Sequence, residues 1–270
     1  MANRFIHLVT FAILLGIVGC GTSRRPQPVD DAKQEEGPKT EITAIEDPWR
    51  IIDKANRAMA SPNKIGRWKA GKIKYREFYP MPAMDYVLCE ETFQLPGQLK
   101  TVAHLKTKAG REGTIITVAN KGKGWQRQTD GTTVEHEVKD ADQPLHNFAS
   151  MLFFDLGSFK PANATLAVTG EGTVDDRKVV IVQIQTGQAR FSCYFEQDSG
   201  LLLRLTSVKS DPVTGMKETL ETYFGDYKYV QGGWVPMRHR LLKEGKLFGD
   251  VTILELQFLD RVDEMEFEKP

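Results

Sequence analysis

Five histidines, three cysteines and an Asp175-Asp176 pair are the residues of this chain best suited to chemistry, and their spacing decides what they could do. His7, His104, His136, His146 and His239 are scattered. None forms a His-Glu-x-x-His pair or a Cys/His set at the spacing that a zinc site requires. His136 lies between Glu135 and Glu137, a composition that could hold a cation. However, alternating polar residues after the Asp130-Gly131 turn describe the solvated face of a hairpin strand. No Gly-x-Ser-x-Gly elbow occurs, and Gly122-Lys123-Gly124 lacks the rest of a phosphate loop and reads as a turn. Asp175-Asp176 suits a hairpin tip. No general acid–base pair is recognisable, so no catalytic residue, metal ligand or cofactor site is assigned, and the chain is not expected to be an enzyme.

Cys20 is the exception, because its surroundings specify what its thiol does. A short segment with one fixed positive charge, Arg4, precedes an apolar run over residues 5–18 broken only by His7 and Thr10. About 14 residues fall short of the roughly 20 that a spanning helix needs. The run therefore reads as a secretion signal rather than a retained anchor. It closes on Ile17-Val18-Gly19-Cys20, which resembles a bacterial lipobox. The resemblance implies a diacylglyceryl group on the Cys20 sulfur, cleavage before Cys20 and acylation of the new amino terminus, palmitate being a typical chain. Several acyl chains at about 0.8 kcal/mol per buried methylene give a stable membrane anchor. Gly21, where an Asp would signal inner-membrane retention in enterobacterial lipoproteins, points to the outer membrane, facing the periplasm.

The expected organisation is a signal peptide over 1–19, a lipidated Cys20 with a flexible linker over 20–46, and a single domain over 47–270. The linker is rich in Pro, charge and polar residues and nearly lacks large apolar side chains, so it cannot offset its ordering entropy by burial. The domain is long enough to bury most of its apolar surface. Composition agrees, with 40% hydrophobic and 27% charged residues, and 36 acidic residues balance 36 basic ones. Zero net charge gives nucleic-acid binding no footing. Cys89 and Cys193 lie in the strand-like segments YVLCEETF and RFSCYFEQ. Each reads as a buried free thiol, with a disulfide between the two as the alternative that an extracytoplasmic location allows.

Positioning elements follow from periodicity. DPWRIIDKANRAMAS predicts a helix: Asp47 caps, Pro48 suits the first position, and Trp49, Ile52, Ala55 and Met59 share one face. A second helix is expected over 140–159, where Leu145, Phe148, Met151 and Leu152 have helical spacing. Elsewhere short alternating segments are joined by turn signals such as Leu95-Pro96-Gly97, Asp198-Ser199-Gly200, Gln231-Gly232-Gly233 and Glu244-Gly245-Lys246. So many strands linked by tight turns predict one curved antiparallel sheet, mainly β with two helices covering its concave face.

Several phrases, "GKGWQRQTDG", "YFEQDSGLLLRL", "ETYFGDYKYVQGGWVPMRHRLLKEGK" and the terminal "FEKP", together with the order of elements, are similar to the lipoprotein-carrier (LolA/LolB-like) superfamily, nearest to its uncharacterised secreted and lipidated bacterial versions. The resemblance spans nearly all of residues 49–270. It implies an unclosed, half-barrel antiparallel sheet with helices in its mouth, and a cavity that holds or senses acyl chains of lipoproteins. Soluble carriers place an Arg just before a Pro as a latch for the helical lid. Here that place reads Leu95-Pro96, so the latch is absent, and the lipid anchor makes the chain more like the membrane-bound receiver.

Phe191, Cys193 and Phe195 share one strand face, as by alternation do Leu201, Leu203 and Leu205, and Val235, Met237, His239 and Leu241. The candidate hydrophobic cavity is therefore lined by Phe191, Phe195, Leu203, Leu205 and Met237, with Met151 and Leu152 from the second helix. Two readings follow. In the first, an envelope lipoprotein, expected to be monomeric, takes a lipid or an acylated protein into that cavity. In the second, it is an envelope sensor or interaction module with no small-molecule ligand, its interior filled by its own side chains.

Overall fold

The computed structural model describes residues 47–59, 69–80, 84–95, 97–137, 164–186, 189–210 and 217–270. Its one described α-helix is α1 (Pro48–Met59). The Asp47 carboxylate accepts the Trp49 N–H at 3.1 Å, and the Asp47 carbonyl accepts the Arg50 N–H at 2.9 Å. These bonds satisfy donors that a helix start otherwise leaves open. Ile51, Ile52 and Ala55 are buried along one stripe, flanked by partly buried Trp49 and Met59. The expected second helix over 140–159, with Met151 and Leu152, lies outside the described residues.

Among the described residues thirteen strands follow, in the segments where alternation predicts them. They are β1 (Ala70–Phe78), β2 (Met84–Gln94), β3 (Gln98–Thr107), β4 (Glu112–Asn120), β5 (Lys123–Arg127), β6 (Thr133–Glu137), β7 (Ala164–Val174), β8 (Arg177–Thr186), β9 (Ala189–Glu196), β10 (Leu202–Ser210), β11 (Lys217–Val230), β12 (Gly233–Lys243) and β13 (Lys246–Leu259). All join one antiparallel sheet in the order β6-β5-β4-β3-β2-β1-β13-β12-β11-β10-β9-β8-β7. The sheet is open, because β6 and β7 are its two edges and do not pair with each other.

Two-residue hairpins enforce this order. At Lys121-Gly122, Asp175-Asp176, Gln231-Gly232 and Glu244-Gly245 both turn residues have positive φ, from 45° to 100°. This is the mirror-image turn whose twist matches that of paired strands. The one long-range step joins the first strand to the last, with Tyr75 opposite Ile253 and Glu77 opposite Val251. Turn chemistry cannot announce that pairing in the sequence.

The two faces of the sheet are covered differently. On one, α1 packs over β8–β11, its Ile51, Ile52 and Ala55 against Val180, Val182, Ile184, Cys193, Phe195, Leu202 and Phe224. Fully burying a side chain of this size contributes about 1.5–3 kcal/mol. The approach is close at Gly200, where φ is +79° and an added Cβ would lie 3.0 Å from the Lys54 side chain and 3.3 Å from its backbone, so only glycine suits that turn.

On the other face the C-terminal segment folds back over β1–β5. Asp263 caps a 3₁₀ turn (Glu264–Phe267), accepting the Met265 N–H at 3.0 Å. Phe267 is fully buried with Ala70, Val118 and Val262 beside Trp125. The Phe267 carbonyl accepts from Asn120 Nδ2 at 3.1 Å, and Gln94 Oε1 accepts the Val262 N–H at 2.9 Å. Glu266 pairs with Lys72 at 3.0 Å and Lys100 at 3.1 Å, and these bonds hold its carboxyl below the usual range. Solvent screens such half-exposed pairs, so the apolar Phe267 anchor outweighs them.

Candidate functional site

The α1 face of the sheet gathers the large apolar side chains. Phe195 is fully buried at its centre, and partly buried Phe191 and Leu205 pack against the same cluster. Met237 is buried on β12, in register with the same face, because its neighbour His239 stacks edge-on against Phe224 with ring centroids 5.2 Å apart. Alternation thus fits the packing of Phe191, Phe195 and Leu205 in one cluster, with Met237 buried apart from it on the same side of the sheet.

Leu203 departs from the expectation. The register between β9 and β10 slips after Leu202: Leu202 pairs with Phe195, but Arg204 pairs with Tyr194 and Leu205 with Cys193. The extra residue is a β-bulge, which rotates the strand locally. Leu202 and Leu205 therefore join the α1 cluster, whereas Leu203 packs with Val174 and Val179 on the opposite face. Strict alternation through Leu201, Leu203 and Leu205 could not foresee this one-residue slip. Beside Leu203 on that opposite face, the Arg204 guanidinium lies 4.7 Å from the Tyr194 ring and 5.3 Å from the Tyr223 ring, and bonds Glu221 at 2.8 Å.

Cys20, Met151 and Leu152 lie outside the described residues. Cys89 and Cys193 are both buried and free. They stand on β2 and β9 with five strands between them, so the candidate disulfide is not formed. Burial pushes both thiols above their ordinary value, which keeps them un-ionised and poorly reactive.

A polar strip that the sequence reading did not single out continues the α1 face across β1–β3. Glu77 and Glu91 are 3% and 5% exposed, an unusual placement for carboxyl groups. Tyr79 donates to Glu77 Oε2 at 3.0 Å, and Tyr75 donates to Glu91 Oε2 at 3.3 Å, with Thr101 also bonding Glu91. Burial raises Glu77 to about 7 and Glu91 to about 8, against the lowering effect of these hydroxyls. His239, fully buried, is pushed the other way, to about 4, because burial disfavours its cation. Near neutral pH, His239 is thus neutral, Glu91 mainly keeps its proton, and Glu77 is poised between its acid and its carboxylate. Strand parity carried the signal: Ile73, Tyr75 and Glu77 share one side of β1, and Val87, Cys89, Glu91 and Phe93 one side of β2.

The opposite face holds a cavity of about 520 Å³, lined by Lys72, Lys74, Glu90, Lys100, Glu255 and Glu266 among others. Its lysines are engaged by Glu90 and Glu266, so it is a charged, self-neutralised surface. Among the described residues, no group of three or more metal-ligating side chains converges and no helix is long and apolar enough to cross a membrane.

This open antiparallel sheet with a helix packed on one face is an architecture shared with solved structures. Among solved structures, a DUF1329 family protein from Desulfovibrio piger is 14% identical, with a TM-score of 0.53 over 83% of this chain and 98% of its own. A domain ascribed to outer-membrane lipoprotein sorting from Vibrio parahaemolyticus is 8% identical, with a TM-score of 0.50 over 82% and 97%. A LolA superfamily protein from Nitrosomonas europaea is 10% identical, with a TM-score of 0.48 over 84% and 99%. At such identities the likeness concerns fold alone. No protein-family model matches the chain, and no curated protein does.

Proposed function

We propose that this chain is an envelope lipoprotein that handles lipid or the acyl chains of lipoproteins, holding them against the α1 face of its sheet without covalent chemistry. Its parts are a signal peptide over 1–19, a lipidated Cys20 with its linker over 20–46, and a sheet domain over 47–270, with the outer membrane, on its periplasmic side, as the site of anchoring. The observation that carries the reading is the stripe of Phe191, Phe195, Leu205, Phe224 and Met237 on the side of the sheet where α1 lies, in a fold shared with a lipoprotein-sorting domain. Apolar concave surfaces with few polar groups are the usual seat of such ligands. A non-covalent lipid carried through purification from the native host, seen as added mass, tests it.

A second reading, an interaction or sensor module without a ligand, is favoured by the tightness of the same cluster, where Phe195, Ile184 and Ile52 have no exposed surface. In that case the protein purifies at the mass of its covalent structure alone.

Anchoring has its own test. Cys20→Ser is expected to shift the chain from the membrane to the soluble fraction on cell fractionation, with thermal unfolding of the domain unchanged, because acyl chains supply the membrane affinity. Unchanged membrane association of the variant would contradict it.

A further inference from the structure

His239 bears an atom that the fold leaves unused. Its Nε2 lies 3.2 Å from the Pro236 carbonyl, which can only accept, so Nε2 carries the hydrogen and Nδ1 presents a lone pair. That Nδ1 is buried and, among the described residues, has no hydrogen-bond partner, an unfavourable state for a polar atom. In the same cross-strand row, His239 stands opposite Val251 and Val251 opposite Glu77, which puts two buried polar groups on one face with a single valine between them. Strand spacing sets their Cα atoms roughly 10 Å apart. The row is otherwise apolar, with Phe224 beyond His239, and Val87 and Leu105 beyond Glu77.

Among the described residues, no lysine or arginine occupies this face on β1, β2 or β3, nor beside His239 and Val251 at Val235, Met237 and Ile253. Two acceptors without a cation call for a group with several N–H donors and positive charge. We propose that His239 and Glu77 form a head-group site for an amphiphile bearing a primary amine, whose ammonium donates to His239 Nδ1 and to the Glu77 carboxylate while its chain lies along the apolar row. The site deepens the lipid-handling reading and rests on it. Burial leaves the Glu77 carboxyl near 7, ready to release its proton when a cation arrives. A carboxylate or phosphate head would instead meet the Nδ1 lone pair and the Glu77 oxygens.

The test uses the full chain reconstituted in lipid nanodiscs, with saturation binding of radiolabelled dodecylamine, dodecanol and dodecanoate at neutral pH after subtraction of empty nanodiscs. The three probes share one tail and differ only in the head. Dodecylamine is expected to bind about tenfold more tightly than dodecanol, with dodecanoate weakest, and Glu77→Gln and His239→Phe should each bring the amine down to the level of the alcohol. Equal affinity for all three heads, or an amine preference that both variants retain, would overturn the site while leaving the lipid-handling reading intact. Binding of none of the three would remove both. Should a variant melt early by circular dichroism, the ranking of heads on the unaltered chain decides alone.

Discussion

Stability of the domain is expected to fall as pH rises from about 5 to about 8, the reverse of the acid-sensitive behaviour common among proteins. Glu77 and Glu91 have folded values of about 7 and about 8 against an ordinary 4.5. A carboxyl raised in the folded state holds its proton there while the unfolded chain has lost it, so its stabilisation is full below 4.5 and disappears as pH climbs through the folded value. At 1.36 kcal/mol per unit, each group accounts for a loss of order 3–5 kcal/mol across that window. His239 acts in the opposite sense. Its value is lowered to about 4, so its stabilisation is complete above 6.5 and lost as pH falls toward 4. Between 4.5 and 6.5 it offsets one of the two carboxyls, from 6.5 to about 7 both carboxyls act unopposed, and from about 7 to about 8 Glu91 acts alone. Chemical denaturation at pH 5, 6.5 and 8 reads this directly. Glu91→Gln, which keeps an acceptor for the Tyr75 hydroxyl but cannot ionise, should flatten the decline and exceed the native chain in stability at pH 8 by several kcal/mol. Equal stability of the native chain at pH 5 and 8 would mean that these carboxyls are solvated.

Phe195→Ala is expected to cost about 3–5 kcal/mol, the range for deleting an aromatic ring from a closed interior. Phe195 has no exposed surface and sits where α1, β8, β10 and β11 meet, so the vacated space is bounded by Ile52, Val182, Leu202 and Phe224 rather than by water. Since a domain's whole stability is about 5–15 kcal/mol, this one change should lower the denaturation midpoint severely. Phe191→Ala, at the partly buried edge of the cluster, should cost clearly less. Equal, small losses at both positions would show that the helix covers this face loosely.

The strands were legible because nearly every one alternates and ends in a turn residue with a physical reason to be there. Gln231-Gly232 and Glu244-Gly245 are examples, their positive φ values being those that glycine-containing hairpins favour. Helix α1 is equally plain from Asp47 and the Ile52–Ala55 stripe. What could not be read is non-local or breaks a period. The β1–β13 pairing depends on contacts between residues far apart in the chain, and the bulge after Leu202 shifts Leu203 to the other face without any glycine to mark it. Glu77 and Glu91 are hard to read from sequence for a different reason. Their parity placed them inward, but a carboxyl is ordinarily assigned to solvent because of its desolvation cost. A charged residue in phase with buried neighbours is the signal that finds such a strip. The C-terminal anchor, Phe267, follows no periodic element and becomes visible only through Ala70, Val118 and Trp125 around it.

Whether this sheet is a receptacle is read most directly by weighing the full-length protein, purified from its native host, under native and then denaturing conditions. The denaturing spectrum gives the covalent mass, including any acyl groups carried on Cys20. The native spectrum should exceed it by the discrete mass of one lipid or acylated ligand, and the excess should vanish on unfolding. Coincident masses across preparations, with no ligand recovered in organic extracts, would contradict a lipid-handling function and leave a protein filled by its own side chains.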